Sequence, residues 1–291
     1  MEARYLGRTG LRVSPLALGT MTFAGTGRFA AVGSVQVDEA REFLAMAIDA
    51  GVNLVDTADV YSLGAAEEVL GQAMAGRRDD LLIATKCGFR LDDDPNAAGS
   101  SRYHIIRACE ASLSRLGTDH VDLFQVHSVD EHTEIEETLE ALDDLVRTGK
   151  TRYVGCSNFS AWRLMKALAR SEAGRRARFG SLQAYYSLVS RDVEWELMPL
   201  CLDQGLGLLV WSPLAGGFLS GKFARGEDAP GDTRRSKIPT PGLIDDDHGF
   251  AIVDVLGALA AERGVSMAQV AINWALQRPA VSSVIVGART R

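Results

Sequence analysis

The sequence predicts an α/β fold, a (β/α)8 barrel. Short apolar runs alternate with helical patterns from one end of the chain to the other, and the runs number about eight. Unbroken alternation of this kind indicates parallel βαβ units. Eight such units in about 250 residues is the usual size of this barrel. Residues 1–291 are therefore interpreted as a single domain.

The predicted elements begin with a short hairpin from Tyr5 to Pro15 that turns at Thr9-Gly10. The predicted barrel strands are Leu16–Thr20, Asn53–Thr57, Leu81–Lys86, Val121–His127, Thr151–Ser157, Ser181–Tyr186, Leu206–Trp211 and Ser283–Gly287. Their nearly continuous apolar character is typical of parallel strands that are buried on both faces.

Three helix starts are readable between the strands. Asp38 is a predicted N-cap of a helix that ends at Gly51. Thr133 with Glu136, and Ser266 with Gln269, have the spacing of a capping box.

Two segments depart from the regular pattern. Pro213 to Gly249 is long and rich in glycine, proline and charge, which predicts a functional loop after strand 7. The sequence ends at Arg291, directly after the eighth strand, where we expect an outer helix to cover apolar surface. A C-terminal helix is therefore interpreted as missing from the sequence.

Composition restricts the class of partner. Hydrophobic residues make up 46% of the chain, which is typical of a globular core, and the net charge of −7 disfavours nucleic acid and membrane surfaces. The N-terminus lacks the apolar run of a signal peptide, so we expect a cytoplasmic protein. The four cysteines form no C-x-x-C pair and the five histidines have no ligand spacing, which predicts reduced thiols and no metal site.

Two glycine motifs are considered and set aside. Gly25 to Ala30 fits G-x-G-x-x-A, but helical periodicity starts only near Asp38, too late for a Rossmann site. Gly216 to Lys222 fits G-x-x-x-x-G-K, but Phe223 stands where a P-loop needs serine or threonine for magnesium.

Four polar residues lie at the predicted carboxyl ends of strands 2 to 4, where barrel enzymes have their active sites: Asp56, Tyr61, Lys86 and His127. Taken alone, each has an ordinary structural explanation, such as an ion pair or a packed ring. Together they suggest proton donation to a carbonyl oxygen. A free tyrosine has a pKa of about 10, and a nearby ammonium group lowers that pKa. Asp56 would hold Lys86, and His127 would orient the substrate.

A cofactor must supply the hydride for such a reduction, since no side chain can do so. Ser157, Asn158 and Gln183 offer groups that match a carboxamide. Trp211 suits stacking on a nicotinamide ring, or it packs in the barrel mouth.

These motifs together resemble the aldo-keto reductase superfamily, and the resemblance runs from about Tyr5 to Thr290. The matching segments are Asn53–Tyr61, Ala84–Lys86, Phe124–His127, Val154–Phe159, Leu182–Tyr186 and Trp211–Leu214. The resemblance implies a catalytic tetrad of Asp56, Tyr61, Lys86 and His127, with Tyr61 as the general acid. It also implies that the chain normally continues past Thr290 into a helix that clasps adenine.

The resemblance further implies a set of cofactor contacts. The residues it assigns to NADPH are Gly19, Thr20, Met21, Asp56, Ser157, Asn158, Gln183, Trp211, Ser212, Pro213, Leu214, Lys222, Gly287 and Arg289. Gly287 and Arg289 would lie near the adenosine 2′-phosphate, which favours NADPH or NADP+ over NADH.

The substrate is expected to be a small carbonyl compound held by Tyr61 and His127. Met21, Phe23 and Phe89 would make its pocket apolar, or they are ordinary packing residues. Two other hypotheses remain. One is an NADPH-sensing regulatory subunit of the same fold that binds a partner protein. The other is a barrel hydrolase or isomerase, which has no use for Trp211 and the carboxamide cluster together.

Overall fold

The computed structural model describes residues 1–226, 231, 233 and 247–288. A two-stranded antiparallel hairpin opens the chain, with β1 at Arg4–Tyr5 and β2 at Arg12–Val13. Eight parallel strands then form a closed barrel in sequence order, and the last strand pairs with the first. The predicted hairpin and (β/α)8 barrel are therefore confirmed.

The barrel strands are β3 at Leu16–Gly19, β4 at Leu54–Asp56, β5 at Leu82–Cys87, β6 at Val121–Val126, β7 at Thr151–Ser157, β8 at Phe179–Tyr185, β9 at Gly207–Trp211 and β10 at Val281–Val286. The α-helices in the described ranges are α1 at Val37–Asp49, α2 at Ala65–Ala73, α3 at Arg102–Leu116, α4 at Ile135–Arg147, α5 at Ala161–Gly174, α6 at Leu197–Gln204, α7 at Asp247–Arg263 and α8 at Met267–Leu276. Between residues 1 and 226 and from 247 to 288, no helix is long and apolar enough to cross a membrane.

Two of the predicted helix caps are wrong. Helix α1 starts after Gln36, whose backbone N–H donates to Glu39, while Asp38 lies inside the first turn and pairs with Arg41. Helix α4 starts after Glu134 because the Thr133 hydroxyl donates to Asp130 instead of capping the helix. The third prediction is confirmed, since Ser266 and Gln269 form a reciprocal capping box at α8.

The two glycine motifs lie in short 3-10 turns. Gly27–Phe29 is one such turn, and α1 begins only at Val37, as the rejection of a Rossmann site required. Ala215–Ser220 is the other, within the segment that was predicted as a functional loop after strand 7. Most of residues 227–246 in that segment lie outside the described residues.

The interior of the barrel has an apolar floor and a polar layer above it. Leu54, Leu123 and Leu209 are buried in the floor together with Leu6 and Val13 of the hairpin. Burial of each such side chain contributes roughly 1.5–3 kcal/mol to the stability of the fold, so the hairpin closes this end of the barrel stably. The polar layer lies toward the carboxyl ends of the strands and includes Asp56, Lys86, Gln125 and Gln183, all of them buried.

A second apolar layer lies between the strands and the helices that surround them. It includes Phe124, Leu139, Leu164, Phe179 and Leu182, all of which are buried. The four cysteines are also buried and free, in agreement with the predicted reduced thiols. The strands are therefore packed on both sides, which fixes the positions of the polar groups at their ends.

Candidate active site

Three neighbouring strands bring the predicted tetrad to one rim of the barrel. Asp56 is the last residue of β4, Lys86 lies near the end of β5, and His127 directly follows β6. Because β4, β5 and β6 are parallel and in register, their carboxyl ends meet at the same edge. Tyr61 reaches this edge from the turn that follows β4.

Lys86 lies at the centre of the tetrad and is fully buried. Its Nζ donates to Oδ1 of Asp56 at 2.6 Å and to the carbonyl oxygen of Thr57 at 2.7 Å. The same nitrogen lies 5.2 Å from the centre of the Tyr61 ring. The rings of Tyr61 and His127 are in edge-to-face contact, with centres 6.1 Å apart.

The charge state of Lys86 follows from these neighbours. Burial on its own lowers the pKa of the amine, but the Asp56 carboxylate and Tyr61 outweigh it and raise that pKa above its usual value. Both neighbours act through charge and through hydrogen bonding. Lys86 is therefore an ammonium ion at neutral pH, placed between a carboxylate and a phenol.

The turn that carries Tyr61 has an unusual backbone. Ser62, Leu63 and Gly64 all have positive φ, at 52°, 56° and 92°. Residues other than glycine rarely adopt this conformation, and each costs about 1–2 kcal/mol. The Ser62 hydroxyl compensates by donating to the carbonyl of Phe23 and accepting from the N–H of Gly25, both at 3.0 Å. The loop after β3 therefore holds the tyrosine turn in place.

Behind the tetrad lies a buried acidic pair that the sequence analysis did not identify. Glu67 is fully buried and accepts hydrogen bonds from Thr85 at 2.5 Å and Arg115 at 2.7 Å. Asp59 is also fully buried, and neither of its carboxyl oxygens has a hydrogen-bond partner of normal geometry within the described part of the chain. Asp59 follows β4 in a loop and Glu67 lies in the first turn of α2, so no periodic pattern in the sequence marks the two acids as neighbours.

The electrostatic state of Asp59 differs from that of Glu67. Burial, followed by the charge of Glu67, raises the pKa of Asp59 well above its usual value. Arg115, the backbone N–H of Val60 and Lys86 lower it by less. Burial therefore favours the neutral form of the Asp59 carboxyl, two residues before Tyr61.

The predicted carboxamide contacts lie together on β7, β8 and β9. Asn158 donates from Nδ2 to the carbonyl of His127 and to Oγ of Ser157, both at 3.0 Å, and it accepts from Nε1 of Trp211 at 3.1 Å. Gln183 donates from Nε2 to Asp56 at 2.8 Å. These bonds orient the amide groups and join them to the tetrad.

Trp211 presents a half-exposed ring at the barrel mouth. One face of this ring stacks on Tyr185, with ring centres 4.7 Å apart and an angle of 21° between the planes. Two neighbours, Tyr185 and Asn158, therefore hold the indole in a fixed orientation, as a stacking surface for a flat ligand requires.

The loop after β9 contains the residues predicted to follow the pyrophosphate, Ser212, Pro213, Leu214 and Lys222. Backbone φ is positive at Ser212, Ala215, Gly216 and Gly217. Successive N–H groups in such conformations form concave sites for anions. The amine of Lys222 lies against Gly217, since a Cβ atom added there would be 2.8 Å from Nζ.

The remaining cofactor candidates lie where β3 and β10 meet. Thr20 is buried, and its N–H and hydroxyl both donate to the carbonyl of Asp56. Met21 is half-buried nearby. Gly19 and Gly287 come close together, because a Cβ atom on Gly287 would lie 3.1 Å from the Gly19 carbonyl oxygen. Arg289 lies outside the described residues.

The aromatic wall of the site differs from the one expected. Phe23 is fully buried in the layer outside the barrel, so its side chain is not open to a substrate. Phe29 contacts Tyr61 edge-to-face instead, with ring centres 5.5 Å apart. Phe89 contacts His127 edge-to-face, with ring centres 4.6 Å apart. No sequence signal marks Phe29, because a folded loop returns it to the rim.

Comparisons with known proteins agree with this geometry. A family model described as the aldo/keto reductase family matches residues 15–291. The uncharacterized oxidoreductase YrpG of Bacillus subtilis (strain 168) is 38% identical, over 100% of this chain and 88% of that protein. A probable voltage-gated potassium channel subunit beta of Oryza sativa subsp. japonica is 41% identical, over 99% of this chain and 87% of its own length. Versiconal hemiacetal acetate reductase of Aspergillus parasiticus is 35% identical, over 100% of this chain and 90% of its own length.

Proposed function

Because the chain belongs to the aldo/keto reductase family, we propose that it reduces an aldehyde or ketone to an alcohol with NADPH, and that Tyr61 donates the proton. The observation that carries this proposal is the position of Lys86, buried between the Asp56 carboxylate and the Tyr61 ring.

The residues at the rim fit a dinucleotide cofactor. Ser157, Asn158 and Gln183 would hold a carboxamide, and the ring of Trp211 would lie against the nicotinamide. The Lys222 ammonium, beside Gly217, suits a pyrophosphate, while the N–H groups of Ala215, Gly216 and Gly217 already donate within the loop and fix its shape. When bound, NADPH supplies the hydride that no side chain can supply. The choice of NADPH over NADH rests on the resemblance that places Arg289 near a 2′-phosphate.

Tyr61 and Lys86 together perform the proton transfer. The Tyr61 hydroxyl gives its proton to the carbonyl oxygen, which leaves a phenolate beside the Lys86 ammonium. For unit charges at ~4 Å and an effective dielectric constant of 20, such an attraction is worth about 4 kcal/mol. Asp56 keeps the ammonium charged and in place, and His127 orients the substrate oxygen against Tyr61. The proton lost by Tyr61 is replaced from solvent at the open rim.

Replacement of Tyr61 by phenylalanine tests the proposal. Tyr61→Phe should lower kcat by about 10²–10⁴-fold because the proton donor is lost. NADPH binding, measured by quenching of tryptophan fluorescence, should remain. Tyr153→Phe is the matched control, since Tyr153 packs at the barrel floor and should be dispensable for turnover. Equal turnover by Tyr61→Phe and wild type would show that another group donates the proton.

A second candidate function is supported by the relative named as a potassium channel subunit beta. In this alternative, the protein senses NADPH and binds a partner protein. A stoichiometric partner in a pull-down, with no NADPH oxidation over aldehydes, quinones, ketosteroids and keto-sugars, would favour it. Tyr61-dependent turnover on any of these compounds would favour the reductase.

A further inference from the structure

A cleft lies beside the candidate active site, and its lining includes Ser128, the residue after His127. It has a volume of about 300 Å³ and lies between the loops that follow β5 and β6. Its lining includes Phe89, Ser128, Asp130, Glu131 and His132. Phe89 is shared with the rim, because its ring contacts His127. A ligand with its carbonyl group at His127 could therefore extend into this cleft.

The walls of the cleft are held in place by hydrogen bonds of Asp130. Its carboxylate accepts from the N–H of Ser100 at 2.8 Å, the N–H of His132 at 2.9 Å and the hydroxyl of Thr133 at 2.6 Å. Gly99 lies so close that an added Cβ atom would be 2.5 Å from Asp130 Oδ2. These contacts join the two loops, so the cleft is a formed site.

The cleft carries negative charge. Burial alone raises the pKa of Asp130, but the hydrogen bonds from Thr133, Ser100 and His132 outweigh it and hold that pKa below its usual value. Glu131 pairs with Arg163 at 2.7 Å. Within the described ranges, no lysine or arginine lines the cleft itself. An anionic group placed there would face the Asp130 carboxylate, whose three hydrogen-bond donors are all neutral groups.

We propose that the part of the substrate remote from the carbonyl lies in this cleft, and that the cleft accepts uncharged aromatic groups and disfavours carboxylates and phosphates. This inference rests on the proposed reductase function. Phe89 is 37% exposed and offers a flat apolar surface beside His127, which suits an aromatic ring. The favoured substrate class is therefore uncharged aromatic aldehydes and ketones.

A matched pair of aldehydes tests the proposal. Methyl 4-formylbenzoate and 4-carboxybenzaldehyde differ in size only by a methyl group, but only the second carries a negative charge. We expect kcat/KM with NADPH to be about tenfold higher for the ester, from repulsion between like charges in a partly enclosed site. Equal values, or a preference for the carboxylate, would overturn the assignment of the cleft and leave the reductase function intact.

Two variants connect this preference to the cleft. Glu131→Gln removes one negative charge from the lining and leaves Arg163 unpaired, so the preference for the ester should fall by about threefold or more. Glu134→Gln removes the same charge three residues along, where Glu134 points to solvent and lies 3.9 Å from Lys166. That control should keep the wild-type preference. An equal fall in the ester preference of both variants would contradict the proposal, since it would show that the preference depends on the total negative charge of the protein and not on the cleft.

A result in which neither aldehyde is reduced must be assigned either to the cleft or to the reductase function. If the folded wild type reduces neither compound but reduces a quinone, ketosteroid or keto-sugar, only the assignment of the cleft fails; no turnover on any carbonyl compound would contradict the reductase function as well. Thermal unfolding of each variant shows that a changed preference does not come from a loss of structure.

Discussion

Nζ of Lys86 lies 2.6 Å from Oδ1 of Asp56, and both side chains are buried inside the barrel. Gln183 donates to the other carboxylate oxygen at 2.8 Å, so Asp56 is held from two strands. Removal of two charges from water is costly, and the pair is stable only while both partners remain. The proposed catalytic centre is therefore also a place where a single substitution would destabilise the fold.

Replacement of Lys86 by methionine should lower the free energy of unfolding by about 3–5 kcal/mol, because Asp56 is left as a buried charge without its partner. Urea denaturation measures this change. The double variant Asp56→Asn, Lys86→Met should lose less than the sum of the two single variants, since no charge then remains. Strict additivity would mean that the ion pair contributes nothing to stability.

Replacement of Asp59 by asparagine should stabilise the protein at neutral pH. The pKa of Asp59 is raised in the folded state. Below about pH 4, Asp59 is protonated in both the folded and the unfolded chain, so its ionisation does not change the free energy of unfolding. As the pH rises above that value, the unfolded chain ionises while the folded chain keeps its proton, and stability falls. Asparagine has the shape of the neutral acid and escapes this loss.

The test for Asp59 is urea unfolding from pH 4 to pH 8. The advantage of Asp59→Asn over wild type should be absent near pH 4 and should grow by about 1.4 kcal/mol per pH unit until the folded pKa is reached. Asp93→Asn, at an exposed loop position, is the matched control and should show no such growth. Parallel curves for Asp59→Asn and wild type would show that Asp59 is ionised in the folded protein.

Replacement of Gly217 by alanine should weaken NADPH binding. The added Cβ atom would lie 2.8 Å from Nζ of Lys222 and displace the amine from the position proposed for the pyrophosphate contact. Gly226→Ala is a close control, because φ is also positive there at 75° but an added Cβ atom meets nothing within 4 Å. Both variants carry backbone strain of about 1–2 kcal/mol.

Titration of tryptophan fluorescence with NADPH compares the two glycine variants. Gly217→Ala should raise the Kd by about fivefold or more, since one cationic contact to phosphate is lost. Gly226→Ala should leave the Kd unchanged. A similar Kd for both variants would remove Lys222 from the cofactor contacts.

The barrel and the placement of the tetrad could be predicted because both depend on local rules. Buried parallel strands have continuous apolar runs, and their carboxyl ends lie at one rim. Asp56, Lys86 and His127 therefore come together wherever the strands pair in sequence order. The caps at Asp38 and Thr133 failed because nearby side chains compete for the same groups. Thr133 donates to Asp130 of the same loop instead of capping the helix.

Phe29 and Asp59 could not be predicted, since their roles depend on contacts between distant parts of the chain. Phe29 reaches Tyr61 only because the loop after β3 folds back on itself. The pKa of Asp59 is raised first by its burial and then by the charge of Glu67 of α2, which is also buried. Composition and periodicity describe one segment at a time and contain no information on such pairings.

The Ser62 hydroxyl connects the loop that carries Phe29 to the turn that carries Tyr61. An exchange of that loop for one from a relative, made to alter the range of carbonyl compounds, would also disturb the geometry of Tyr61, the proposed proton donor. In the proposed reductase, substrate range and chemical rate are therefore coupled through the Ser62 side chain. A redesigned loop would have to restore both hydrogen bonds to Ser62.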